Sequence, residues 1–170
     1  MHILAIHSEY VRYEVKKKIK NVAEEIGEER KRGEIENVLV CYLAFEKDDE
    51  SDINLICKES FREIREIAEK VNTKNVVLYP YAHLLFGSEP SSKNTALEIL
   101  KCLEGVLTEN GFNVLRVPFG WYKSFEIKCK GHPLSELSRV IKIKGKKREE
   151  AIKKISSKFY ILTPEGYEFE

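Results

Sequence analysis

The chain has 170 residues, of which 42% are hydrophobic, enough for one sizeable core but too few for two ordinary domains. Its 29 Lys and Arg residues nearly balance its 28 Asp and Glu residues, so the chain lacks the basic excess of a free-standing nucleic-acid binder. Any RNA contact must therefore be local. The four cysteines form no C-x-x-C pair and the apolar N-terminal run is too short for a signal peptide, so we expect reduced thiols in a cytoplasmic protein without a membrane segment.

The first half of the chain contains apolar runs separated by charged segments. Three of these runs predict buried β-strands, at residues 3–6, 38–45 and 76–79. Apolar residues recur at helical spacing over residues 52–71 and again over about residues 92–110, which predicts two amphipathic helices. The lysine run at residues 16–18 and the charged residues 24–32 are predicted to be a solvated helix or loop.

Residues 121–129 alternate between apolar and polar side chains, which is typical of a strand with one buried face. Counting by twos places Lys123 on the apolar face between Trp121 and Phe125. An ammonium group there needs a hydrogen-bonding or charged partner, or a functional role. Residues 113–117 and 139–143 predict further strands. The order of elements indicates an α/β layered fold with a mixed β-sheet and packed helices.

The last twenty-five residues are predicted to be separate from the domain that precedes them. Residues 146–158 predict a short basic helix, and residues 160–169 a hairpin or linker around Pro164 and Gly166. We therefore predict a domain at residues 1–145 and a C-terminal appendage at residues 146–170.

Several common catalytic motifs are missing from the sequence. It contains no G-x-S-x-G elbow, P-loop, glycine-rich dinucleotide fingerprint or H-x-x-x-H pair. His7, His83 and His132 could meet at a metal ion, although no spacing rule connects them.

Polar residues at the ends of predicted strands remain as candidates for a site. His83 follows the end of a buried strand, and ligands bind beyond the strand ends in α/β sheets. A capping or loop residue is an equally good interpretation of His83. Tyr122 and Lys123 open the alternating strand after a Pro-Phe-Gly break. Glu136 lies in the turn after that strand, and the alternative for it is a carboxylate at a helix N-terminus.

These segments resemble the N-terminal editing domain of archaeal threonyl-tRNA synthetases, which is built like the D-aminoacyl-tRNA deacylases. The matching stretches are residues 4–7 (LAIH), 79–84 (YPYAHL), 118–125 (PFGWYKSF) and 129–139 (CKGHPLSELSR). They occur in this order across the first 140 residues. The sequence departs from the family pattern at Ser8 and Glu9, at Trp121, and in the loop at residues 85–92.

The resemblance implies hydrolysis of serine wrongly attached to threonine tRNA, with water attack assisted by the ribose 2′-hydroxyl of the tRNA. It implies catalytic roles for Lys123, Tyr122, His83 and Glu136, and substrate binding around Pro80, Ala82 and Phe119. This scheme requires no metal and no cofactor.

The resemblance also implies partners. These are the acceptor end of tRNA(Thr) carrying serine, a second copy in a homodimer, and the synthetase catalytic body in cis or in trans, toward which residues 146–170 would lead. Two alternatives stay open: a stand-alone D-aminoacyl-tRNA deacylase, and a non-catalytic tRNA-binding appendage.

Overall fold

The computed structural model describes residues 1–143, 160–163 and 166–169. Its strands are β1 (His2–Lys18), β2 (Arg32–Ala44), β3 (Asn75–Pro80), β4 (Asn113–Arg116), β5 (Trp121–Cys129), β6 (Glu136–Val140), β7 (Tyr160–Thr163) and β8 (Gly166–Phe169), and its α-helices are α1 (Ile53–Lys70) and α2 (Lys93–Glu109). Short 3₁₀ helices span Glu28–Arg30, Lys47–Ser51 and Ala82–Leu84.

Both helices begin at side-chain caps and bury one apolar stripe. The Asp52 carboxylate accepts a hydrogen bond from the backbone N–H of Leu55 at 3.0 Å, and the Ser92 hydroxyl accepts one from that of Thr95 at 3.2 Å. The helix after Ser92 is followed by Gly111 at a φ of 85°. The two predicted helices are confirmed to within about one residue at each end.

Six strands form one mixed sheet in the order β4-β3-β2-β1-β5, with β6 pairing to the N-terminal part of β1 beyond the end of β5. Strands β2, β3 and β4 run parallel, and β1 pairs antiparallel with β2, β5 and β6. The parallel strands are joined through α1 and α2, which contact each other. The predicted α/β layered fold with a mixed sheet is confirmed.

Strand β1 is much longer than residues 3–6, and the prediction of a solvated helix or loop at residues 16–18 is wrong. Lys17 and Lys18 pair with Tyr122 and Trp121 of β5. Their side chains are exposed, as predicted, but the distant strand β5 supplies the backbone partners that keep the chain extended. Register shifts against β5 between Ser8 and Tyr10, and again before Lys17, mark bulges of the kind that bend a strand.

The sheet has a buried cluster on each face. One cluster joins the sheet to α1 and α2 and includes Leu39, Leu78, Ile64 and Leu103. On the opposite face Phe125 lies 5.8 Å from Tyr42 and 5.4 Å from Tyr79 between ring centroids. Since Tyr42 and Tyr79 belong to β2 and β3, strand β5 must fold back over the face of its own sheet. This curvature brings the beginning of β5 close to the end of β3.

The expectation of four reduced thiols is wrong for one pair. Cys57 of α1 and Cys102 of α2 form a disulfide, while Cys41 and Cys129 are free. The two bonded cysteines are 45 residues apart, with Cα atoms 6.3 Å from each other. Because helix packing, rather than local spacing, brings them together, the search for C-x-x-C pairs could not find them.

The C-terminal predictions have mixed outcomes. Strand β6 begins at Glu136, three residues earlier than predicted, and the helix N-terminus considered for Glu136 is wrong because no helix starts there. Strands β7 and β8 pair antiparallel, as the hairpin rather than the linker alternative predicts for residues 160–163 and 166–169. The helix predicted at residues 146–158 lies outside the described residues. In the described part of the chain, no helix is both long enough and apolar enough to cross a membrane.

Candidate active site

A cavity of about 420 Å³ lies where the end of β3, the turn at residues 118–121 and the beginning of β5 meet. The size is within the range of small-molecule sites. Six of the seven predicted site residues line it: Pro80, Ala82, His83, Phe119, Tyr122 and Lys123. Two segments far apart in sequence, the end of β3 and the turn that leads into β5, therefore converge on one place.

The Lys123 side chain contributes an amine to the cavity wall. Its ammonium nitrogen Nζ donates hydrogen bonds to the backbone carbonyl oxygens of Pro118 at 2.9 Å and Trp121 at 2.8 Å. It lies 5.4 Å from the centroid of the Tyr79 ring. Burial lowers the pKa of Lys123 to about 8, although the charge of Glu24 opposes the shift. The prediction that Lys123 lies on the apolar face is confirmed.

Three of the other predicted cavity residues lie closer to solvent. Tyr122 is 60% exposed, and Ala82 and His83 are also exposed. The His83 ring makes an edge contact with Tyr81, at 5.1 Å between centroids. The 3₁₀ helix Ala82–Leu84 follows the end of β3 and turns His83 toward the cavity. These exposed groups are placed to meet a ligand that enters from solvent.

A buried carboxylate behind the turn was missed by the sequence analysis. Glu24 is only 8% exposed, and its carboxylate accepts hydrogen bonds from Arg30 Nη2 at 2.8 Å and from Arg116 Nη1 at 3.0 Å. Burial alone would raise the pKa of Glu24, but the bonds and positive charge from Arg116 and Arg30 outweigh burial and hold that pKa below its ordinary value. The prediction that residues 24–32 are simply solvated is thus wrong at Glu24.

The sequence also matches a described protein family. A family model described as the Archaea-specific editing domain of threonyl-tRNA synthetase matches residues 1–141. The chain belongs to this family. All residues that line the cavity, including the six predicted ones, lie within the matched range, so the cavity belongs to the editing domain itself.

Curated relatives of this editing domain are threonine–tRNA ligases. The ligase of Methanocaldococcus jannaschii is 47% identical over 168 residues, covering 99% of this chain and 26% of the ligase. That of Thermococcus sibiricus is 47% identical over 98% of this chain and 27% of the ligase, and that of Methanobrevibacter smithii is 52% identical over 83% and 23%. The chain spans about a quarter of the length of the relatives it matches.

Glu136, the seventh predicted site residue, does not line the cavity of the editing domain. It pairs with Ile6 of β1, whereas Lys123 pairs with Val15. Roughly 30 Å of strand separates those two positions along β1. The side chain of Glu136 is exposed and accepts a long contact from Cys129 Sγ at 3.6 Å. Within one copy, Glu136 is not brought together with the other six residues.

Two of the three histidines considered as metal ligands do meet. His7 Nδ1 lies 2.7 Å from His132 Nε2, and His7 Nε2 lies 3.2 Å from Asn37 Oδ1. The Leu134 N–H donates to His132 Nδ1, so a neutral His132 donates through Nε2 to His7. His83 lies at the cavity instead. Among the described residues no three His, Cys, Asp or Glu side chains are arranged to hold a metal ion, so the three-histidine site is wrong.

Proposed function

We propose that this editing domain hydrolyses the ester bond of L-seryl-tRNA(Thr), releasing serine and tRNA with a free 3′-hydroxyl. The observation that carries the proposal is the Lys123 amine held by two carbonyl groups in the wall of a cavity of ligand size. Membership in an editing-domain family supports the same reaction.

The need for such a reaction follows from the limits of binding selectivity. A synthetic site shaped for threonine loses only about 1–3 kcal/mol when serine, which lacks one methyl group, takes its place. A second site must therefore accept serine and exclude threonine by steric contact. Pro80, Ala82 and Phe119 would form that selective wall, since they line the cavity near Lys123 and contribute apolar surface and backbone groups.

Ester hydrolysis needs an oriented water and stabilisation of the oxyanion that forms on the carbonyl oxygen when water attacks the carbonyl carbon. Water oxygen bonds to this carbon, the water proton leaves, and the bond from the carbon to the ribose oxygen breaks as that oxygen takes up a proton. The neighbouring ribose 2′-hydroxyl would assist by holding the water. The protein then has to position groups rather than supply a strong base.

Lys123 is suited to this positioning role. An ammonium group carries three hydrogens, and two of them are already donated to Pro118 and Trp121. The third is left to bind the ester oxygen or the attacking water. Tyr122 and His83, exposed beside it, would hold the ribose and the water.

The partners of the domain form part of the proposal. The exposed Lys17 lies opposite Tyr122 in the sheet, and Lys20 follows it, so both would neutralise phosphates of the tRNA acceptor end near the cavity. The domain would act in the cytoplasm beside the synthetase body, and as a homodimer. Exposed apolar side chains near β6 offer surface for such a contact, namely Leu134 and Val140.

The deciding experiment compares deacylation of seryl-tRNA(Thr) and threonyl-tRNA(Thr) by the purified protein. We expect serine to be released rapidly while threonine is spared. Release of D-amino acids from unrelated tRNAs, with L-serine spared, would identify a D-aminoacyl-tRNA deacylase instead. Binding of tRNA with no release of any amino acid would mark a non-catalytic appendage and overturn the proposal.

A further inference from the structure

The turn at residues 118–121 supplies most of the fixed geometry around Lys123. Its Pro118 and Trp121 carbonyl oxygens accept both hydrogen bonds from the Lys123 amine, and its Phe119 side chain lines the cavity. Any shift of this turn therefore moves the amine and the wall together. What holds the turn in place then determines how accurately the site is built.

The segment at residues 19–24 holds the turn from behind. The Ile19 N–H donates to the Gly120 carbonyl at 2.9 Å, and the Glu24 N–H donates to the Phe119 carbonyl at 3.1 Å. The Trp121 indole Nε1 donates to the Glu24 carbonyl at 2.9 Å. These bonds tie three consecutive residues of the turn to one short segment, most of them around Glu24.

The Glu24 carboxylate extends this attachment to the rest of the fold. It accepts hydrogen bonds from both Arg30 and Arg116, and its Oε1 lies 3.4 Å from the backbone nitrogen of Phe119. Arg116 also binds Glu104 of α2 through Nε at 2.7 Å, and Arg30 donates to the Arg116 carbonyl at 3.2 Å. Two arginines, themselves tied to each other and to α2, thus converge on one carboxylate that borders the turn.

We infer that Glu24 is a positioning residue for the deacylation proposed above. It does not line the cavity, and it acts by fixing the turn that presents Lys123 and Phe119 to the substrate. Its negative charge has a second effect, because it favours the ammonium form of Lys123 and limits how far burial lowers the pKa of that residue. The inference rests on the proposed function for its consequence in catalysis, but its effect on Lys123 can be measured without catalysis.

The test compares Glu24→Gln with Glu104→Gln. Both substitutions remove a carboxylate that binds Arg116, but only Glu24 touches the turn. Titration of the Lys123 side chain is followed by NMR, together with kcat and KM for seryl-tRNA(Thr). We expect Glu24→Gln to lower the Lys123 titration midpoint by roughly 0.5–1 pH unit and to reduce kcat about 10- to 100-fold with a smaller change in KM. Glu104→Gln should leave the midpoint and kcat near those of the wild type.

A second variant controls for the case in which Glu24→Gln does not fold. Glu24→Gln alone leaves Arg30 without its carboxylate, so the double variant Glu24→Gln with Arg30→Gln removes both charges and leaves Arg116 paired with Glu104. The double variant should also lower the Lys123 midpoint. An unchanged midpoint in folded Glu24 variants, or an equal shift with Glu104→Gln, would overturn the inference. If the wild type releases no amino acid, the proposed function fails, and the titration alone decides the role of Glu24.

Discussion

At the scale of single residues, Lys123 carries the proposed chemistry. Replacing it by methionine keeps most of the length and an apolar stem of the side chain but removes the donor that faces the cavity. We expect Lys123→Met to remain folded and to lose about 10²–10³-fold in kcat for seryl-tRNA(Thr), as when one oxyanion donor is removed. The matched control is Lys128→Met, which makes the same change at an exposed position of the same strand. Equal loss in both variants would contradict the role given to Lys123.

The same residue predicts a pH dependence. Burial lowers the pKa of Lys123 to about 8, so the ammonium form that donates three hydrogens is lost as the pH rises through that value. Enzyme-dependent deacylation should therefore fall above about pH 8 after subtraction of spontaneous ester hydrolysis, measured without protein. A rate that instead rises through pH 8 would mean that the neutral amine acts as a base.

The contribution of Lys123 to folding stability should change with pH in the opposite direction from the deacylation rate. In the folded state Lys123 releases its proton near pH 8, whereas in the unfolded chain it does so near its ordinary value of 10.5. Between these values the unfolded state binds more protons, so the contribution of Lys123 to stability rises with pH. The cost of burying its charge is greatest below pH 8.

The sequence predicted the position of the Lys123 side chain but not the burial of Glu24, for one physical reason. The alternation of a strand is local, so counting by twos across Trp121 and Phe125 placed Lys123 correctly. The surroundings of Glu24 come from Arg116, 92 residues later in the chain, and nothing in its charged neighbourhood indicates burial. In the same way the extension of β1 depends on its pairing with β5.

At the scale of elements, the turn at residues 118–121 depends on glycine. Gly120 has a φ of 77°, and a Cβ atom there would lie 2.6 Å from the Cα of Ala23, a backbone atom that cannot move away easily. Gly120→Ala should lower the free energy of unfolding by more than about 1 kcal/mol and reduce deacylation. Gly105→Ala, at an exposed position inside α2 with open space around it, should instead stabilise by about 0.5–1 kcal/mol. Chemical denaturation of both variants checks the opposite signs.

A disulfide links helices α1 and α2 and should contribute to folding stability. Cys57 and Cys102 close a long loop between α1 and α2, which restricts the unfolded chain. Replacing both by serine should lower the free energy of unfolding by about 2–4 kcal/mol, measured by thermal or denaturant unfolding. A reductant should destabilise the wild type and leave the double variant unaffected. An unchanged wild-type midpoint in the reductant would contradict this contribution.

At the scale of the whole molecule, the cavity of one chain contains only part of the set of residues that the family resemblance implies. Six of the seven lie at one cavity, and Glu136 lies on β6, away from it. A homodimer resolves this separation if the Glu136 side chain of each copy reaches the cavity of the other. The exposure of Glu136, and of Val140 on the same strand, is compatible with a contact between copies.

Mixing two inactive variants tests that arrangement. Lys123→Met and Glu136→Gln should each lose most deacylation as homodimers. A mixed dimer contains one cavity with both Lys123 and Glu136 intact if Glu136 acts across the interface, so mixing the variants after dissociation and reassociation should restore activity. If Glu136 served its own chain, every cavity in the mixed dimer would lack one of the two groups, and no activity would return. A monomeric wild type in analytical ultracentrifugation that still deacylates seryl-tRNA(Thr) would exclude the shared site altogether.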